Sequence, residues 1–110
     1  MSPQQSRRVA RSEVLLSLES LCAASSSLLY TKGRLYLIYP AQRLADLVAM
    51  ARAHALEPRR LRLIHPRSSE PANLLLIECL KGGGTELKVE KPLCIYDGAV
   101  YSEEVASYYA

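Results

Sequence analysis

The apolar run NLLLIECL at residues 73–80 is the feature that most constrains how this chain can fold. Because the run is almost wholly apolar, it predicts a strand that lies centrally in a sheet. The run RLYLIYP, which follows Gly33, is apolar without alternation and predicts an innermost strand at 34–39 that is covered on both faces. Strands of this kind are typical of α/β proteins with parallel strands.

Two other segments carry apolar residues at helical spacing. In AQRLADLVAMARAHAL, at 41–56, a stripe at i, i+3, i+4 and i+7 predicts a helix. An earlier helix is predicted between Ser17 and Gly33. Ser17 is placed to be its N-cap, and Gly33 is placed to end it. Downstream, LRLIH at 61–65 alternates and predicts a strand. The two helical stripes are formed by Leu44, Leu47, Val48 and Ala51, and by Leu18, Leu21, Cys22, Leu28 and Leu29.

The predicted order is helix, strand, helix, strand, strand. A strand, helix, strand unit implies a right-handed parallel crossover, whereas the short loop at 66–71 suits an antiparallel hairpin to the last strand. The expected fold is therefore α/β, with two parallel strands, an antiparallel last strand and flanking helices. KGGG at 81–84 is expected to be a turn, and Ser102 is placed to cap a terminal helical turn.

The composition limits the classes to which the chain can belong. Its 110 residues hold one domain, and 49% apolar with 23% charged residues is ordinary for a folded globular chain. The three cysteines form no CxxC pair, which argues against a disulfide framework or a metal site and predicts buried thiols. No apolar run reaches the roughly 18 residues of a membrane span, and no signal-peptide core follows the polar start. We therefore expect a cytoplasmic protein without membrane contact.

Positive charge is concentrated in two clusters, although the net charge is only +3. Arginine clusters can neutralise phosphates and stack on unpaired bases, so they are candidate RNA contacts, with a merely solvated surface as the alternative. Tyrosines in the tail are open to the same two interpretations, base stacking or packing with the hydroxyl at the rim. No spacing of Ser, His, Cys or acidic residues indicates a catalytic set. The candidate nucleic-acid-binding residues are Arg7, Arg8, Arg11, Arg59, Arg60, Arg62, His65 and Arg67.

Five segments of the sequence, taken in order, resemble segments of a known protein family. They are ARSE at 10–13, KGRLYLIYPAQRL at 32–44, LEPRRLRLIHPR at 56–67, ANLLLIECLKGG at 72–83 and PLCIYDGAVYSEEV at 92–105. Together they resemble the second half of bacterial tRNA (adenine-N6)-methyltransferases, the family that acts on valine tRNA. The resemblance implies part of a class I, Rossmann-like methyltransferase fold. Residues 1–16 would be a basic lead-in arm and residues 17–110 the carboxyl-terminal half of the domain.

The resemblance also implies what such an enzyme needs beyond this chain. A family member carries a glycine-rich cofactor loop, a ribose-binding carboxylate and a catalytic Asn-Pro-Pro-Tyr motif before the matched part, and this sequence contains none of them. We therefore expect the chain alone to hold no cofactor and to be inactive, whereas the complete parent would use S-adenosylmethionine. Met1 would be internal in that parent. Ser12 of the segment ARSE departs from the family, which tends to carry His at this position.

A half domain would leave the strand at 34–39 with an open edge, and such edges recruit other chains. A homo-oligomer, or association with the missing amino-terminal half, is therefore expected. The alternative function is a non-enzymatic module that binds RNA or an acidic protein through its arginine clusters, and salt-dependent binding would favour RNA. An inert remnant is a third interpretation.

Overall fold

The computed structural model describes residues 17–109, so the predicted arm at 1–16, with its three arginines, lies outside the described residues. Helix α1 occupies residues 17–28. The elements that follow are strand β1 (Arg34–Pro40), a 3-10 turn (Ala41–Arg43), helix α2 (Leu44–Ala53), strands β2 (Leu56–His65), β3 (Leu74–Lys81), β4 (Lys88–Val89), β5 (Leu93–Cys94), β6 (Tyr96–Asp97) and β7 (Val100–Tyr101), and helix α3 (Glu103–Tyr109).

Strand β3 lies between β1 and β2 and is antiparallel to both, so β1 and β2 run in the same direction. The register places Ile77 of β3 opposite Leu37 on one side and Leu61 on the other. Strands β4 and β5 add short parallel pairs along the far side of β2, and β6 and β7 form a separate hairpin. The predicted mixed sheet, with two parallel strands, an antiparallel last strand and flanking helices, is confirmed.

The core lies between this sheet and helices α1 and α2. Leu18 and Cys22 of α1, and Leu47 and Ala51 of α2, are at most 2% exposed, and burying a leucine of this kind contributes about 2 kcal/mol. Burial raises the pKa of the Cys79 thiol to about 11, so it stays protonated and packs as a small apolar group. Among residues 17–109, no helix has the length and apolarity of a membrane span. The strands contribute Leu56, Leu61, Leu75, Ile77 and Cys79 to this core.

Strand β1 is covered on one face only, which corrects the prediction of an innermost strand. Leu35 and Leu37 pack against the core, whereas Tyr36 and Ile38 are 60% and 61% exposed on the opposite face. The sequence hides this alternation because both kinds of position carry apolar residues. For the same reason the predicted buried face of α1 is too wide, since Leu28 is 82% exposed.

Strand β2 begins at Leu56, earlier than the predicted start at residue 61. Pro58 lies inside it, although proline has no backbone N–H to donate to a neighbouring strand. The pairing with β3 shifts register between Pro58 and Arg60, so the proline sits at an irregularity where a ladder hydrogen bond is already lost.

Two residues with a Cβ adopt left-handed backbone in the turns beside β1 and β2. Lys32 has φ 74° before β1, and Ala55 has φ 61° between α2 and β2. This conformation costs roughly 1 kcal/mol for a residue other than glycine. The Ala55 carbonyl accepts a hydrogen bond from the Gly82 N–H at 3.1 Å, which ties this turn to the end of β3.

The substitution Ala55→Gly is expected to raise the free energy of unfolding by about 1 kcal/mol, because glycine adopts this backbone without strain. Urea unfolding followed by circular dichroism measures the change. The control Ala49→Gly, at an exposed position inside α2, should instead lower the free energy of unfolding by about 1 kcal/mol. A destabilised Ala55→Gly variant would contradict the strain at this turn.

Candidate nucleic-acid interface

The arginines of β2 divide between two places. Arg60 and Arg62 alternate with the buried Leu61, so their side chains project from the face of the sheet opposite α1 and α2, which we call the open face. His65 ends β2, and Arg67 follows in the loop beyond it. The structure therefore brings Arg60 and Arg62 together and places His65 and Arg67 at the carboxyl end of the strand.

Four side chains, Arg34, Glu78, Arg60 and Glu90, form a charged row across the open face. Glu78 is its buried member, 6% exposed, and accepts hydrogen bonds from Arg34 at 2.8 Å and from Arg60 at 3.5 Å. Arg60 also donates from Nε to Glu90 at 2.6 Å, and this hydrogen bond lowers the pKa of Glu90. Two arginines and two carboxylates alternate in the charged row, so it carries no net charge.

Arg62 is engaged in a similar way by helix α3. Its Nη2 donates to Glu104 at 2.6 Å, and its Nε donates to the Lys91 carbonyl at 3.0 Å. The Tyr108 hydroxyl donates to the other oxygen of Glu104 at 2.6 Å. The hydrogen bonds from Arg62 and then Tyr108 lower the pKa of Glu104, so this carboxylate stays charged and holds α3 against β2.

The other candidates near β2 contact the chain's own loops. The His65 Nδ1–H donates to the Glu70 carbonyl at 2.7 Å, which stabilises the loop between β2 and β3. Arg59 is half-buried beside Gly84, where an added Cβ would come within 2.7 Å of its guanidinium group. Within residues 17–109, Arg59 pairs with no carboxylate, unlike Arg60 and Arg62.

Arg67 begins a stack of side chains that we call the aromatic column, formed by Arg67, Tyr96, Tyr101 and Tyr109. The Arg67 guanidinium carbon lies 5.2 Å from the Tyr96 ring centroid. Tyr96 stacks on Tyr101 at 5.5 Å, and Tyr101 stacks on Tyr109 at 5.4 Å. Arg67 is held in place by donating to the Gly98 carbonyl at 2.8 Å, and its Nη1 lies 3.5 Å from the Glu70 carboxylate. Tyr109 is 76% exposed at the outer end of the column, where an unpaired base can stack.

The glycine turn at 82–84 does not fit S-adenosylmethionine, the cofactor that the resemblance implies for a complete parent. The glycines at 82–84 pack against their own chain, because an added Cβ at Gly83 would lie 2.8 Å from the Leu80 side chain. Gly82, at φ 67°, uses its N–H on the Ala55 carbonyl. These glycines therefore form a tight turn and do not cradle a ligand. Within residues 17–109, no cluster of three or more His, Cys, Asp or Glu could hold a metal ion.

Comparison with known proteins identifies the fold. No protein-family model and no curated protein matches the sequence. The crystal structure of a predicted O-methyltransferase, protein Atu636 from Agrobacterium tumefaciens, is similar with a TM-score of 0.73 and 25% identity over 82% of this chain. The fold is of the class I methyltransferase type. The matched part amounts to 44% of the methyltransferase's own length, so the chain spans less than half of that protein.

Sequence reasoning missed the carboxylates that neutralise the arginines. Glu78 is the one charged residue in the run at 73–80, and that isolation was the available signal. A lone carboxylate in an apolar strand requires a cation from a neighbouring strand. Glu90 and Glu104 are distant in sequence from the arginines that they contact, so no local spacing indicated these pairs.

The substitution Glu78→Gln is expected to lower the free energy of unfolding by about 1–2 kcal/mol, because two guanidinium groups lose their shared carboxylate. The loss stays below that of a fully buried pair since both arginines are about half exposed. Urea unfolding of this variant is compared with Glu86→Gln, an exposed control that should change stability by less than about 0.5 kcal/mol. Equal stability of the two variants would contradict a structural role for Glu78.

Proposed function

We propose that this chain is the carboxyl-terminal half of an RNA adenine-N6 methyltransferase and needs an amino-terminal half for catalysis. The observation that carries the proposal is β3 inserted antiparallel between β1 and β2, in a fold similar to a methyltransferase at a TM-score of 0.73. That protein is described as a predicted O-methyltransferase. The proposal of adenine N6 as the methylated atom and of valine tRNA as the substrate therefore rests only on the five sequence segments that carry the resemblance. The missing half would supply the cofactor loop and the Asn-Pro-Pro-Tyr motif.

The RNA surface that we propose is the carboxyl end of β2 with the aromatic column. Ligands of α/β sheets bind beyond the carboxyl ends of the strands, which is where Arg67 and Tyr96 lie. Stacked tyrosines take unpaired bases of any sequence, and a guanidinium group adds a planar cation to the same stack. This surface fits an enzyme that must extrude a base from an RNA loop before acting on it.

The non-enzymatic arginine-cluster module is the weaker candidate. Arg60 and Arg62 each contact a carboxylate at 2.6 Å, so a phosphate would have to displace Glu90 or Glu104 before binding. Arg59 has no such competitor among the described residues. One arginine without a carboxylate partner provides too little charge for a binding function by itself, since sequence-independent RNA affinity grows with the number of phosphates neutralised.

Calorimetric titration with S-adenosylmethionine tests the claim of an incomplete enzyme. We expect no saturable heat of binding, because the turn at 82–84 packs against Leu80 and Arg59 and offers no backbone cradle. The same protein should transfer no methyl groups to transcripts of valine tRNA. Saturable binding of S-adenosylmethionine, or methylation of adenine by the purified chain, would overturn the proposal of a half enzyme.

Fluorescence anisotropy with a short unstructured RNA tests the proposed RNA surface. Tyr109→Ala is expected to weaken binding about tenfold, because one base–aromatic stack is lost. Arg67→Ala should weaken it and also reduce the dependence on salt between about 50 and 200 mM. The matched controls are Tyr30→Ala, an exposed tyrosine before β1, and Arg52→Ala, an exposed arginine paired with Glu57. Binding that the controls weaken as much as Tyr109→Ala would argue against the aromatic column.

A further inference from the structure

Strand β1 lies at the end of the sheet, with β3 on one side. Its other side, the outer edge, pairs with no strand among residues 17–109. Hydrogen bonds at its two ends fix the pattern of pairing. The Gly33 carbonyl accepts a bond from the last residue of β3 at 2.8 Å, and the Ala41 N–H bonds to the residue before β3 at 3.1 Å. In an antiparallel pair, every second residue of a strand forms its backbone hydrogen bonds with the same neighbouring strand. The backbone N–H and C=O groups of the odd-numbered residues of β1 therefore point toward β3. The outward N–H and C=O groups belong to Arg34, Tyr36 and Ile38.

Apolar side chains accompany these backbone groups, which have no partner strand among residues 17–109. Tyr36 and Ile38 are 60% and 61% exposed on the open face of the sheet. Leu28 and Tyr30, which come just before β1, are 82% and 90% exposed. A strand edge with unpaired donors and acceptors and with uncovered apolar side chains is a template for another strand.

The devices that normally protect such an edge are weak here. Lysine and other unpaired charges repel a second chain, but the Arg34 guanidinium lies 2.8 Å from the Glu78 carboxylate and is neutralised by it. Pro40, which donates no hydrogen bond, blocks only the end of the strand. The central part of β1 is therefore open and uncharged toward an identical edge.

We propose that two copies of this chain pair through β1 in antiparallel orientation, about a two-fold axis near Tyr36, and form one continuous sheet. Three outward residues on each copy can then exchange about six backbone hydrogen bonds. The two-fold makes the contact self-complementary, because the same residues are both donors and acceptors. It also brings Tyr36 and Ile38 of both copies onto one shared face, where they cover each other.

A second copy suits this edge because Arg34, the one charged residue of β1, is neutralised by Glu78. Two identical edges therefore do not repel each other. The proposed function expects an amino-terminal half at the same edge, so the dimer is the state of the 110-residue chain by itself. Dimerisation needs neither RNA nor cofactor, and its failure would leave the proposed function untouched. Coverage of the edge by residues 1–16 is the alternative outcome that the experiment distinguishes.

Sedimentation velocity over a range of concentrations tests the dimer. The unmodified chain should sediment at twice its 12.2 kDa, and Ile38→Lys should sediment at the monomer mass because it places an unpaired charge at the contact. The matched control Val100→Lys alters a 67% exposed residue of β7 and should remain dimeric. Circular dichroism and thermal unfolding establish that both variants are folded. A monomeric unmodified chain, or a dimer that Ile38→Lys leaves intact, would overturn the proposal.

Hydrogen exchange of the Tyr36 and Ile38 amides distinguishes the occupants. In the dimer these amides should be protected, and the protection should fall on dilution and in Ile38→Lys. Protection that is independent of concentration in a monomer would mean that residues 1–16 or another part of the chain covers β1, and the dimer would be rejected. Rapid exchange at high concentration would mean an uncovered edge and would also reject it.

Discussion

The pairing of β3 with both β1 and β2 is the constraint on which the described domain depends. One face of β3 supplies Leu75, Ile77 and Cys79 to the core under the helices, and the other presents Glu78 to arginines on both neighbours. Each strand therefore gains backbone hydrogen bonds, apolar contacts and an ion pair from the same central element. Because β3 arrives last of the three in sequence, the sheet is complete only when residues far apart in the chain meet.

The sequence indicated the central place and reversed direction of β3 because both follow from local signals. An almost wholly apolar run and a short loop after β2 are sufficient for that inference. The exposure of Tyr36 and Ile38 was not predictable in the same way, since it depends on which face the helices cover, and residue type does not record this. The start of β2 at Leu56 was not predictable for a related reason, because only the register with β3 reveals the irregularity that accommodates Pro58.

The charges illustrate the limits of counting residues. Four arginines and a histidine between residues 59 and 67 suggested a positively charged surface. In the folded chain Arg60 and Arg62 contact carboxylates contributed by β3, by the segment after β4 and by α3, and Arg67 pairs with Glu70. Three of the four arginines are therefore neutralised by carboxylates. What distinguishes the carboxyl end of β2 is the position of the Arg67 guanidinium group over the Tyr96 ring, which a count of charges does not detect.

The aromatic column has a consequence for spectroscopy. The chain contains seven tyrosines and neither tryptophan nor phenylalanine, so all of its near-ultraviolet absorption comes from phenol rings. Rings held about 5.5 Å apart and nearly parallel couple their electronic transitions, which gives circular dichroism that isolated tyrosines lack. The near-ultraviolet circular dichroism of the protein therefore reports on the aromatic column. A ligand that stacks on Tyr109 would change this circular dichroism without any attached dye.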